Sequence, residues 1–201
     1  MKINAVYLNN KNHKKFENIN YEIITVFSVI ILAIIIGAVC AVCSSDKIEI
    51  RELLNKFLTE TSNEPFFKLL ITKELQQLIF IAIIFVSGSS IYGKAPITLI
   101  VFYKILGISY LSGVLISTYL LEGLEYILLI FLPGKILYIF AIILVSVKCL
   151  KSSDALKNKE NAEFDNVLFM KQNMFSSILI FISAFIDIML LKVFLPLFSF
   201  A

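Results

Sequence analysis

Apolar and polar positions follow each other along this chain on two scales. On the longer scale they form blocks. Residues 1–21 are polar and rich in Asn and Lys, and residues 22–43 are almost continuously apolar. Residues 44–75 mix charges with apolar positions. Three apolar blocks follow at 76–92, 96–121 and 125–148, then a polar stretch at 149–174 and a last apolar block at 175–200. A helix rises about 1.5 Å per residue and the hydrocarbon layer is about 30 Å thick, so a crossing takes roughly 20 apolar residues. The pattern predicts an all-α integral membrane protein with five spans in one membrane domain, preceded by a tail. The first block exceeds the roughly 7–15 residue core of a signal peptide, which predicts an uncleaved span.

On the shorter scale, residues 46–60 change period. Ile50, Leu53, Leu54, Phe57 and Leu58 fall on one helical face with charges on the other. This stretch is too short and too charged to cross a bilayer. It predicts an amphipathic helix that either docks a partner at the membrane surface or covers the protein's own spans. Asn63 and Pro65 mark the start of a new helix, one that runs on into the second span. Gly93 and Lys94 predict a tight antiparallel turn before Pro96 opens the third span. Ser109, Gly113 and Ser117 recur every four residues, a small-residue stripe that admits another helix at close range. That neighbour is either a helix of the same chain or a second copy, so a homodimer is one outcome. Pro133 and Gly134 interrupt the fourth span, where a proline removes one backbone hydrogen bond and bends the helix.

Composition sharpens the assignment to a bilayer. The chain is 59% hydrophobic and 16% charged, with a mean hydropathy of +0.89, whereas soluble domains carry roughly a quarter charged residues. Placement of charge then orients the spans. Ten lysines fall on the side of the N-terminus, against five Lys or Arg in the 44–75 segment, where six acids offset them. The N-terminus is expected in the cytoplasm, with 44–75 and the C-terminus outside and 149–174 as a cytoplasmic loop. Three cysteines, Cys40, Cys43 and Cys149, do not make a disulfide framework. Cys40 and Cys43 read as small apolar filler on a helix.

Three charges lie inside the predicted spans. Lys104, Lys135 and Asp187 all fall near mid-depth, where a paired charge is far cheaper than a lone one. They predict a polar clasp between the third, fourth and fifth spans, with an ion or substrate path as the alternative. Lys192 lies nearer the surface and can snorkel.

Catalytic chemistry is not visible. The sole histidine, His13, sits in the tail, away from any membrane-embedded triad or zinc site. The phosphate-cradling GxxxxGK[ST] pattern is missing, and Glu122 and Glu125 lack surroundings that suggest a bound substrate. Basic residues are not interleaved with aromatics as a nucleic-acid face requires. The chain reads as a non-enzymatic membrane protein with no cofactor and no nucleic-acid partner.

One ordered set of residues carries a resemblance. Gly88 and Gly93 are followed by Pro96, Phe102-x-Lys104, Gly113, Leu132-Pro133, Ile136-Leu137 and Ala141. In order and spacing this resembles the stage II sporulation protein M family. The sequence differs from many relatives at Ile105, where they carry glycine, and at Gly134, where they carry His or Gln. The resemblance implies a sporulation protein of the cell membrane, in the septal or engulfing membrane. There it assembles and localises a peptidoglycan degradation complex of a lytic transglycosylase and an amidase/endopeptidase during engulfment. The runner-up is a permease subunit driven by a separate ATPase that would bind residues 150–174. A general envelope scaffold is the third possibility.

Overall fold

The computed structural model describes residues 3–44, 47–157 and 166–198. Helix α1 runs from Ile3 to Cys43. Its polar first half, expected as a tail, continues the span's helix. No proline or glycine occurs before Gly37, and extending an existing helix costs far less than nucleating one. Helix α2, Lys47–Asn63, is the amphipathic element. Helix α3, Phe66–Gly88, starts directly after Pro65 and so enters the bundle ten residues before the apolar block at 76. The turn through Ser89–Gly93 leads to α4, Lys94–Tyr119. Leu120, at φ 52, makes the next corner, a conformation that side chains other than glycine rarely adopt.

The fourth span comprises α5 (Leu121–Tyr126), a π-helical turn (Ile127–Phe131) and α6 (Leu132–Lys157). Pro133 explains the π turn. Its nitrogen has no hydrogen to donate and its ring crowds the carbonyl one turn back. The ladder loosens just before it, and the Leu132 N–H donates to the Ile127 carbonyl, five residues earlier. Pro133 then occupies the first turn of α6, where a missing N–H matters least. Helix α7, Asn166–Phe194, closes the bundle and ends in a short 3₁₀ turn, Leu195–Leu197. Among the described residues five helical segments are long and apolar enough to cross a membrane: Tyr21–Cys43, Phe66–Gly88, Lys94–Tyr119, Leu121–Lys157 and Met174–Phe194. The fold is all-α and multi-pass.

The most extensive pairing is between α1 and α4, and small residues make it possible. A Cβ on Gly113 would lie 2.6 Å from the Ala41 Cβ, and one on Gly37 would lie 2.8 Å from the Ser109 Cβ. The Ser109 hydroxyl donates to the Ile34 carbonyl across this seam at 2.8 Å. The Ser109/Gly113 part of the stripe is thus filled by the chain's own first span and is not open to a second copy. The Ser117 hydroxyl bonds back to the Val114 carbonyl.

Two apolar clusters form the interior. One lies toward the α3–α4 turn and joins α1, α3, α4, α6 and α7 through residues such as Ile84, Ile97, Val101, Ala141, Val145 and Ile180. The other lies toward α2 and joins Leu54 and Leu58 to Val114, Leu115, Tyr126, Ile130 and Leu191. The turn end is latched by polar contacts. Lys94 pairs with Asp154 at 2.6 Å, and the Ser153 hydroxyl donates to the Ser90 carbonyl at 2.8 Å. Gly88 lets α3 approach Cys149 of α6, where an added Cβ would meet the Cys149 Cβ at 2.7 Å. At Gly93 a Cβ would run into the Ser87 carbonyl.

Candidate functional site

Between the two clusters the helices separate around a cavity of about 690 Å³. Helix α2 covers one end of it through Leu54, Phe57, Leu58 and Thr61, and α3, α4, the π turn, α6 and α7 form the rest. Its apolar wall is broken by four charged groups: Lys73 of α3, Lys104 of α4, Lys135 of α6 and Asp187 of α7.

Asp187 is the centre of this polar layer. It is 3% exposed, and its Oδ2 receives Lys135 at 2.6 Å and Lys73 at 3.0 Å. Both ammonium groups meet the same oxygen. Oδ1 is buried and has no hydrogen-bond partner. The carboxylate fits because residue 134 is glycine: any Cβ there would fall on the Asp187 carboxylate. The Ser183 hydroxyl donates to the Gly134 carbonyl at 2.8 Å and ties α7 to the first turn of α6. The interruption at Pro133–Gly134 therefore has a second effect besides the π turn, because it leaves room for an acid from the neighbouring helix.

The clasp expected from depth joined Lys104, Lys135 and Asp187. The structure pairs Asp187 with Lys135 and Lys73, while Lys104 stands apart. Its ammonium lies 3.3 Å from the centroid of the Phe80 ring, a cation–π contact. Among the described residues Lys104 has no carboxylate within ion-pair distance. Depth along a helix follows from counting residues, but direction around the axis does not, and direction decides the partner. Lys73 lies among the charges of the polar 44–75 segment, which mask its place on a spanning helix. The signal that finds it is Pro65. A helix starting there carries Lys73 about two turns into the bundle.

Two further polar groups of the lining have no hydrogen-bond partner among the described residues, Gln77 Oε1 and the Tyr138 hydroxyl. Gln77 is 5% exposed and Tyr138 is 3% exposed. Lys135 also lies 5.3 Å from the Phe131 ring and 5.8 Å from the Tyr138 ring. Among the described residues no group of three or more His, Cys, Asp or Glu could hold a metal ion.

Helix α2 divides its apolar face. Leu54 and Leu58 are buried against the spans, and Arg51 lies over the Tyr119 ring at 5.5 Å. The Tyr119 hydroxyl donates to Asn55 Oδ1. Ile50 packs partly against the same cluster. Leu54 and Leu58 are therefore moorings and are withdrawn from the docking candidates. Leu53 and Phe57 remain 61% and 59% exposed. The second mooring is Lys192, which donates to the Glu64 carbonyl at 2.5 Å and holds the α2–α3 joint to α7.

The other residues of the ordered set occupy structural positions. Pro96 sits in the first turn of α4, Phe102 packs on the turn-side cluster, and Ala141 is fully buried in it. Leu132 and Pro133 bound the π turn.

These features define a multi-pass α-helical membrane protein whose bundle holds a charged chamber open on one side. Its family follows from comparison: the model described as stage II sporulation protein M matches residues 25–190. That reaches into all five spans, from Thr25 in the first to Leu190 in the last, and the chain belongs to the stage II sporulation protein M family. No curated protein and no solved structure matches it.

Proposed function

We propose that the protein is a non-enzymatic membrane scaffold that holds cell-wall hydrolases at the septal or engulfing membrane. The hydrolases are a lytic transglycosylase and an amidase/endopeptidase acting on septal peptidoglycan during engulfment. Family membership supports the setting. The observation that carries the docking role is the division of α2. Leu54 and Leu58 fix the helix to the bundle, while Leu53 and Phe57 remain more than half exposed, Phe57 at the rim of the cavity. A helix moored along one side of its apolar face, with two large apolar side chains left exposed, is preorganised for a partner. The Lys-rich N-terminal side supports a cytoplasmic N-terminus, which puts α2 on the wall-facing side.

The test is co-purification of the tagged protein from sporulating cells in mild detergent. Leu53→Asp combined with Phe57→Asp is expected to lose both hydrolases while the protein itself stays in the membrane at normal abundance. Retention of both hydrolases by this variant would remove α2 as the dock. The competing reading, a permease subunit, is favoured by the cavity. A cytoplasmic ATPase co-purifying through residues 150–174, part of which (158–165) lies outside the described residues, would replace the scaffold reading.

A further inference from the structure

The chamber's charges do not balance. Lys73, Lys104 and Lys135 face one acid, Asp187, so the lining carries two more positive charges than negative. Asp187 already serves two of the lysines through one oxygen, and among the described residues Lys104 has the Phe80 ring and no acid. Uncompensated charge inside a membrane bundle is costly and marks a functional path or ligand site. The volume of about 690 Å³ lies within the range typical of small-molecule sites. At about 30 Å³ per water, it greatly exceeds the needs of a bare ion. The wall around the charges is apolar, including Leu54, Leu58, Leu69, Leu111 and Leu115. Tyr103 lines the chamber and is 65% exposed on the middle of spanning helix α4. The chamber thus meets the surface of the bundle at hydrocarbon depth.

We propose that this chamber binds a lipid with a phosphomonoester headgroup. The phosphate lies among Lys104, Lys135 and Lys73, and the hydrocarbon chain lies along the apolar wall and leaves beside Tyr103. A phosphomonoester carries about −1.5 to −2 at neutral pH, which matches the excess of positive charge in a way that a diester or zwitterion does not. Gln77 is buried in the same wall with an unpartnered carbonyl oxygen, an acceptor for the remaining proton of a singly ionised phosphomonoester. The proposal rests on the chamber alone and stands or falls independently of the hydrolase dock.

Gly107 provides the decisive variant. It lines the chamber, and a Cβ added there meets nothing within 4 Å. Gly107→Phe fills the space without altering a charge, and Lys104→Gln removes the one lysine that no acid holds. The full-length protein in detergent would be titrated with phosphatidic acid, phosphatidylglycerol and phosphatidylcholine, with retained lipid read by native mass spectrometry and folding by thermal melting. The expected order is phosphatidic acid first and phosphatidylcholine last, separated by at least about ten-fold. Lys104→Gln should weaken phosphatidic acid binding on the order of ten-fold, as loss of one charged hydrogen bond does. Gly107→Phe should abolish it with a melt still cooperative; if that variant does not melt cooperatively, Lys104→Gln decides. Equal retention of phosphatidic acid and phosphatidylcholine, or unchanged binding in the deciding variant, would overturn the site. Displacement of bound lipid by millimolar inorganic phosphate would overturn the lipid assignment in favour of a water-soluble phosphate compound.

Discussion

Helix α4 has two faces, and each carries a glycine. Toward α1, Gly113 sits where an added Cβ would come within 2.6 Å of Ala41, and the neighbouring Ser109 bonds to the Ile34 carbonyl. Toward the chamber, Gly107 has nothing within 4 Å of a Cβ. One face is a seam in which missing side chains allow close contact. The other is a wall in which the missing side chain preserves empty volume. The same residue type in the same helix thus serves opposite ends, and what distinguishes them is the opposing surface. The difference extends through the bundle. The turn end is closed by a large apolar cluster and a polar latch, whereas the α2 end holds the Lys–Asp layer and open space.

The largest effect is expected from breaking the chamber's polar layer. Asp187→Ala leaves Lys135 and Lys73 without their acid, and removing one partner of a buried ion pair costs about 3–5 kcal/mol. A large drop in the melting temperature of the detergent-solubilised protein is the expected result. Adding Lys135→Met should recover part of the loss, because the second ammonium no longer lies stranded beside an apolar side chain. If Asp187→Ala melts like the parent, the carboxylate does not organise this layer.

Next in size is the seam. Gly113→Val places two methyl groups where Ala41 already stands. Overpacking of this kind costs about 1–3 kcal/mol. The expected result is a lower melting temperature that Ala41→Gly partly restores, since it removes the opposing methyl. Absence of any such rescue would mean that the loss arises elsewhere than at the α1–α4 contact.

How much of this could be read from the sequence depends on which dimension is asked about. Position along a helix was legible. Apolar length marks the spans, Pro65 marks the start of α3, and Pro133 marks the disturbance that becomes the π turn. Direction around a helix was not. The stripe Ser109/Gly113 announces a close neighbour without saying that it is α1. Depth places both Lys104 and Lys135 within reach of Asp187, yet only Lys135 faces it, and Lys73 arrives from a segment whose charges hide its helix. Helix α2 shows the same limit. Leu53, Leu54, Phe57 and Leu58 share one arc of about 140°, and only packing separates the two that are buried from the two that are not. The chamber itself had no sequence signal, because a cavity is a property of surfaces that fail to meet.

The smallest expected effect is also the one of opposite sign. Gly107→Ala adds a methyl group to a helical position that faces empty space. It restricts the unfolded chain more than the folded one, and Gly→Ala at a compatible helical site stabilises by about 0.4–1 kcal/mol. No contact needs to be gained for this to happen. A small rise in melting temperature is therefore expected at Gly107, against a fall at Gly113, from substitutions on one helix. The two measurements belong together. A fall at both positions would mean that the chamber wall is as tightly occupied as the seam, and the contrast between the two faces of α4 would disappear. A rise at Gly107 that vanishes when phosphatidic acid is added would place the methyl in the space that the lipid needs, because the stabilisation lost is then binding energy drawn from the folded state.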